Sequence, residues 1–193
     1  MILAYAIILL ILLAVLMRRD LSAIGQISLK GGAVFVGLVV GLFVLQAVTV
    51  LYVPGQSSWQ RIILALSQVG LIILFGLNHH LPGAKLFALG IAFNVLVMLA
   101  NGGLMPITPE TYHYVHPDRP VIEQTRPLNS KNIILPRDET SLWILSDIVL
   151  LNLPWRRTAV SLGDILLVVG AGQFIFQTTA KKKDNLVTSQ TYS

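Results

Sequence analysis

Apolar residues fall along this chain in long unbroken runs, unlike the alternating or three-four spacing of half-buried elements in a soluble fold. Five runs approach or exceed the length of a membrane-crossing helix, which takes about 17 residues at minimum and about 20 for the full hydrocarbon thickness. They cover residues 1–17, 32–53, 62–78, 85–101 and 159–178, the last interrupted by Asp164 and two glutamines. Between the fourth and fifth runs lies a long segment, 102–158, expected to form an outer loop. Its first part carries Pro106, Pro109, Pro117, Pro120, Pro127 and Pro136, which argue against regular helix. Its second part, LWILSDIVLLNLPW from Leu142 to Trp155, is apolar again but too short to span. It reads as an interfacial or re-entrant helix, with Trp143 and Trp155 in the headgroup layer and Asp147 at its middle. The fold predicted is all-α: a polytopic membrane helix bundle of five transmembrane helices plus that short helix, one domain over 1–183. The polar tail 184–193 is expected to be disordered.

Composition agrees with the pattern. Hydrophobic residues make up 54% of the chain and charged residues 12%, against roughly 45–50% and about 25% in soluble domains. The net charge of +5 is not a nucleic-acid signature, because the basic residues flank the apolar runs. With the N-terminus outside, the inner side collects Arg18, Arg19, Lys30, Lys85, Lys181, Lys182 and Lys183, while the one short outer loop holds Arg61 alone. The expected location is therefore the cell membrane, multi-pass, with the N-terminus outside and the C-terminus cytoplasmic. The first run has no basic residue ahead of it and ends directly on Arg18 and Arg19, which reads as a retained anchor. Cysteine is absent, so thiolate chemistry and disulfides are excluded.

Polar groups within the apolar runs need a reason to be there. Asp164 is the acid inside a span. It is read either as paired with Arg156 and Arg157 or as functional. Asn94 and Asn101 stand two turns apart on one helix face, and Gln68 lies in the preceding span. Such amides are interhelical hydrogen-bond partners or, for Asn94 and Asn101, groups that orient a carboxylate. Gly37 and Gly41 form a GLVVG small-residue face suited to close helix packing, within the bundle or in a homodimer. His113 and His116 in YHYVHP are near enough for joint metal binding. Neither they nor the pair His79 and His80 are accompanied by the further ligands or the HExxH spacing of a metal site, and no metal is expected. No phosphate loop, GxSxG elbow or nucleotide fingerprint occurs, and no cofactor is expected. The partners expected are the lipid bilayer and a membrane protein or a second copy, with no nucleic acid.

The stretch FALGIAFNVLVMLANGGLMPITPE with the later SLGDILLVVG resembles a family of uncharacterised bacterial integral membrane proteins. That resemblance covers most of the chain and implies a membrane bundle without an assigned activity. A narrower likeness is to signal peptidase II, the lipoprotein signal peptidase. Asp147 precedes Asp164 by 17 residues, and Asp164 is followed by Leu167 and Gly170, similar to that family's pattern after its second aspartate. Ser161 stands where that family has an asparagine. This likeness implies Asp147 and Asp164 as a catalytic dyad with Asn94 in support, and hence a membrane-embedded aspartyl peptidase. A membrane protein of unassigned activity, an accessory or scaffold subunit, is the first expectation; the peptidase is the second and a small transporter the third.

Overall fold

The computed structural model describes residues 2–179; the tail 184–193 and Lys181, Lys182 and Lys183 lie outside the described residues. Seven α-helices dominate the described residues: α1 (Ile2–Leu16), α2 (Ser22–Gly25), α3 (Gly32–Tyr52), α4 (Ser58–Leu77), α5 (Ala84–Ala100), α6 (Pro109–Val115) and α7 (Leu162–Thr178). Two of them, α3 and α4, are long and apolar enough to cross a membrane, while α1, α5 and α7 are shorter apolar helices. At 17 residues, α5 and α7 measure roughly 26 Å by the helical rise per residue.

The apolar helices pack in sequence, α3 on α4 and α4 on α5, with α7 returning against α5 and α1 lying on α7. Polar side chains join α3 to α4: Gln46 accepts from Ser67 and, at 3.1 Å, from Gln68. At one end of the bundle Asn78 accepts from the Lys30 N–H at 2.7 Å and donates to the Lys30 carbonyl at 3.0 Å, fixing the turn into α3. Arg19 donates to the carbonyls of Phe176 and Thr179 at 3.0 and 2.6 Å. A cation on the last carbonyls of α7 is the favourable end of the helix dipole, and it ties the C-terminal ends of α1 and α7 together.

The closest packing is between α5 and α7, which run antiparallel. Gly83 meets the Gly170 carbonyl, and a Cβ added at Gly90 would fall 2.7 Å from the Gly163 carbonyl. Gly83, the left-handed N-cap of α5, and Gly90 within it thus face Gly170 and Gly163 of α7, each pair seven residues apart. The GLVVG face is different: nothing lies within 4 Å of a Cβ added at Gly37 or Gly41. That face is open within the described chain, and no helix of the bundle uses it.

The segment after α5 departs from the all-α expectation. It is a small mixed cap with four short strands: β1 (Met105–Ile107), β2 (Asn132–Ile134), β3 (Val149–Leu153) and β4 (Arg156–Val160). Strands β1 and β2 pair in parallel, Met105 opposite Asn132 and Ile107 opposite Ile134. Their connection carries α6, which Thr108 caps and Pro109 opens at a position where proline costs no hydrogen bond. Thus the proline-rich segment contains a helix of its own. Strands β3 and β4 form an antiparallel hairpin closed by Pro154 and Trp155, with Leu153 opposite Arg156 and Val149 opposite Val160.

The interfacial helix expected from 142 to 155 is therefore replaced by a single 3-10 turn, Trp143–Leu145, and strand β3. Leu142 enters that turn with a left-handed φ of 54°, and Ser146 leaves it extended, its hydroxyl held on the Trp143 carbonyl at 2.6 Å. A short apolar run suits either state; here the proline at its end and the pairing partner RRTAV decide for strand. Asp147 thus sits on an extended link and not at the middle of a helix.

The cap is fastened to the helices by polar contacts. Asn101 at the end of α5 donates to the Ser141 carbonyl and accepts from the Ser141 N–H at 2.8 and 2.9 Å. Arg126 reaches the carbonyls of Val50 and Gly55 at 3.0 and 2.7 Å, satisfying one at the C-terminal end of α3 and one in the loop that follows.

A buried polar centre where the cap meets the bundle

Strand β4 runs straight into α7, and Ser161 is the residue between them. Its hydroxyl accepts from the Asp164 N–H at 3.0 Å while its own N–H donates to Asp164 Oδ2 at 3.4 Å. This reciprocal capping box satisfies two of the free N–H groups at the start of the helix. The Ser161 hydroxyl also donates to Asn94 Oδ1 at 2.8 Å, and Asn94 Nδ2 donates to Asp164 Oδ1 at 3.1 Å. Ser161, Asn94 and Asp164 therefore close a ring between α5 and α7. Glycine at 163 is a condition of that ring, because a Cβ there would collide with the Asn94 amide oxygen. Asn94 lies six residues before the end of α5, so the ring is recessed by roughly 9 Å from that end.

The cap adds the charges. Parallel pairing of β2 with β1 carries Lys131 over the start of α7, and its ammonium stands 3.9 Å from Asp164 Oδ1. Asp164 pairs with this lysine. Arg156 and Arg157, the partners suggested by sequence, are exposed on β4, where Arg157 lies over the Tyr114 ring at 5.2 Å. An extended strand keeps both arginines away from the helix start. Burial works against the Lys131 ammonium, but Asp164 and Asp147 more than offset it and hold the group above its ordinary value.

Asp147 completes the centre and is only 5% exposed. Asn132, next to Lys131, donates to Asp147 Oδ2 at 2.7 Å. The second carboxylate oxygen is buried without a hydrogen-bond partner. Burial, opposed by Lys131 and aided by the negative charge of Asp164, pushes the Asp147 carboxyl up to about 6. Two acids thus face one cation, and Asp147 is the group that carries a proton most readily.

The three residues singled out from sequence, Asn94, Asp147 and Asp164, come from α5, the cap and α7 and are gathered around Lys131. Lys131, Asn132 and the capping role of Ser161 are additions that the apolar pattern does not single out. The histidines stay apart from this centre: His116 packs on Tyr112 at the end of α6, and His79 and His80 lie in the turn after α4. Among the described residues no three His, Cys, Asp or Glu side chains are grouped as metal ligands would be.

These features define a helical bundle closed at one end by a small mixed cap, with a charged centre at the junction. The chain belongs to the family of unknown function DUF5317, whose pattern matches residues 26–176, from just after α2 almost to the end of α7. It is also similar to an uncharacterised protein of Thermotoga maritima, 32% identical over 126 residues, which is 65% of this chain and 68% of the relative. No solved structure matches. Neither the family nor the Thermotoga relative carries an assigned activity, and the activity of this chain is unassigned.

Proposed function

We propose that the protein is a multi-pass membrane scaffold whose five apolar helices cross the bilayer with the N-terminus outside, and whose cap is latched onto their outer ends by the Lys131 centre. The outward exposure of large apolar side chains supports membrane residence: Leu9, Leu12 and Leu16 on α1, Val34, Leu38 and Phe43 on α3, and Ile62 and Leu66 on α4. Such continuous apolar surface is expected against lipid and costly against water. The topology places Arg18, Arg19, Lys30 and Lys85 inside, in keeping with the positive-inside rule.

The observation that carries the scaffold reading is the engagement of Asp164. Its oxygens are taken up by the Ser161 N–H, Asn94 and Lys131, which suits a fastening more than a reagent. The partner expected is another membrane protein, for which the fixed cap is the recognition surface. Purification in mild detergent tests this: a stoichiometric membrane-protein partner should co-elute, and a lone monomer would overturn the scaffold reading. A reporter fused after Lys183 should prove cytoplasmic; an external reporter would overturn the topology.

One observation favours a second reading. The unpartnered oxygen of Asp147 beside Asp164 suits a water held between two carboxylates, as in an aspartyl peptidase resembling the lipoprotein signal peptidases. Asp147 would then supply the proton and Asp164 take one from the water, with Asn94 orienting Asp164. Incubating the purified protein with a lipidated peptide substrate separates the two. Cleavage lost in both Asp147→Asn and Asp164→Asn would establish the peptidase, and absence of cleavage by the wild type would remove it.

A further inference from the structure

Between α4 and α5, at the capped end, lies a groove of about 300 Å³. Its lining is mostly apolar, Ile62, Ala65, Val95, Met98 and Leu99, with Arg61 and Gln68 as its polar side chains. Arg61 is an odd residue for this place. It occupies the first turn of α4, where a positive charge opposes the helix dipole. It has no acidic partner among the described residues, where Lys131 with Asp164 is the ion pair formed. Its Nε–H is buried without an acceptor. Yet the guanidinium is held in place: its stem packs on Gly103, where an added Cβ would fall 3.2–3.4 Å from Arg61 carbons, and Gly103 has a left-handed φ of 91°.

A cation with an unused donor beside an apolar groove calls for a ligand with an anionic head and a hydrocarbon tail. We infer that this groove binds one phospholipid, an acyl chain lying along Ala65 and Val95 and the phosphate on the Arg61 guanidinium. Arginine matches phosphate by paired N–H donation. The position fits as well, since Arg61 lies at the outer ends of the helices, where headgroup phosphates lie in the proposed topology. Leu99, which lines the groove, is exposed, as are Leu66 and Leu96 on the same two helices, so a lipid tail enters from the side without crossing water. Inorganic phosphate shares the head chemistry but gains nothing from the apolar walls. The inference rests on the membrane reading above.

The test is native mass spectrometry of the full chain extracted in mild detergent, with phospholipid quantified per protein. The wild type should retain one phospholipid. Arg61→Gln should weaken rebinding of phosphatidylglycerol about tenfold, the loss expected for one charge-assisted hydrogen bond. Ala65→Phe fills the groove without touching the cation and should abolish retention. Added inorganic phosphate should not displace the lipid. A wild type that carries no phospholipid, or variants that retain it as the wild type does, would overturn the site. Phosphate binding that survives in Ala65→Phe would replace it with a free-anion site. A protein that needs detergent for extraction yet holds no lipid sinks this inference alone, whereas one that is soluble without detergent sinks the membrane reading as well.

Discussion

Two faces of this molecule carry glycines at helical spacing, and they are used in opposite ways. Gly83 at the N-cap of α5 with Gly90 inside it, and Gly163 with Gly170 on α7, bring two backbones into contact. On α3, Gly37 and Gly41 look out on open space. The first stripe is seven-spaced on both helices, so each glycine finds its counterpart across the seam. The second has no counterpart among the described residues. Small residues at helical spacing therefore do not by themselves mark a packed face; what distinguishes the seam is a matching spacing on the helix that returns.

The largest effect should come from putting a side chain into the seam. Gly163→Val would drive methyl groups into the Gly90 carbonyl and the Asn94 amide at once, separating α5 from α7 and opening the ring around Asp164. Overpacking against backbone with no room to shift, plus a lost cap, should cost about 3 kcal/mol or more. Thermal unfolding in detergent should show a large fall in Tm or no folded protein. A variant that unfolds like the wild type would mean that the two backbones have room to part.

The charged junction is the next test, because it couples the seam to the cap. Lys131→Met leaves Asp164 and Asp147 facing each other without a cation. Removing one member of a buried pair is costly, and with a third of the Lys131 side chain exposed the loss should be about 2 kcal/mol. Limited proteolysis of the cap should accelerate while the helices remain folded. Uniform loss of both would show that the cap is not a separate latch.

Much of this is legible in the chain and some of it is not, for physical reasons. The five apolar helices, two long and three shorter, follow from the apolar runs, and Asn94 and Asp164 stand out because polar groups in such runs need partners. Lys131 does not stand out: it lies in a segment of balanced charge, and only the pairing of β2 with β1, Met105 opposite Asn132, carries it over α7. The hairpin reads as a helix from sequence because LWILSDIVLLNLPW has no period that decides between the two states. Its signal lies in Pro154 and in the adjoining RRTAV, whose pairing tertiary contacts alone reveal. The seam has a readable signal, the equal seven-residue spacing of Gly83 with Gly90 and Gly163 with Gly170.

Protonation of Asp147 offers a smaller effect with a definite sign. Its folded-state value, about 6, lies above the ordinary carboxylate value. The folded protein therefore binds the proton more tightly than the unfolded chain does. The resulting stability is fully present below the unfolded value and is lost as pH rises through about 6. Between pH 5 and pH 7 the loss should be on the order of 1 kcal/mol. Asp147→Asn keeps the acceptor for Asn132 and removes the titration, so its stability relative to wild type should rise over the same interval. Parallel pH profiles for the two proteins would place the titrating group elsewhere.

The smallest expected effect lies on the open face, the other of the two glycine stripes. Gly37→Val and Gly41→Val add side chains that meet nothing within the described chain, and glycine is a poor helix former, so the isolated monomer should keep its Tm to within a few degrees or gain slightly. If the α3 face receives a partner helix or a second copy, the same changes should weaken that association at least tenfold, since small-residue contacts depend on backbone approach. Analytical ultracentrifugation in detergent and partner co-elution read this directly. Unchanged association with unchanged stability would mean that this face meets only lipid. The seam would then be the glycine stripe with a packing role, and the α3 stripe would have none.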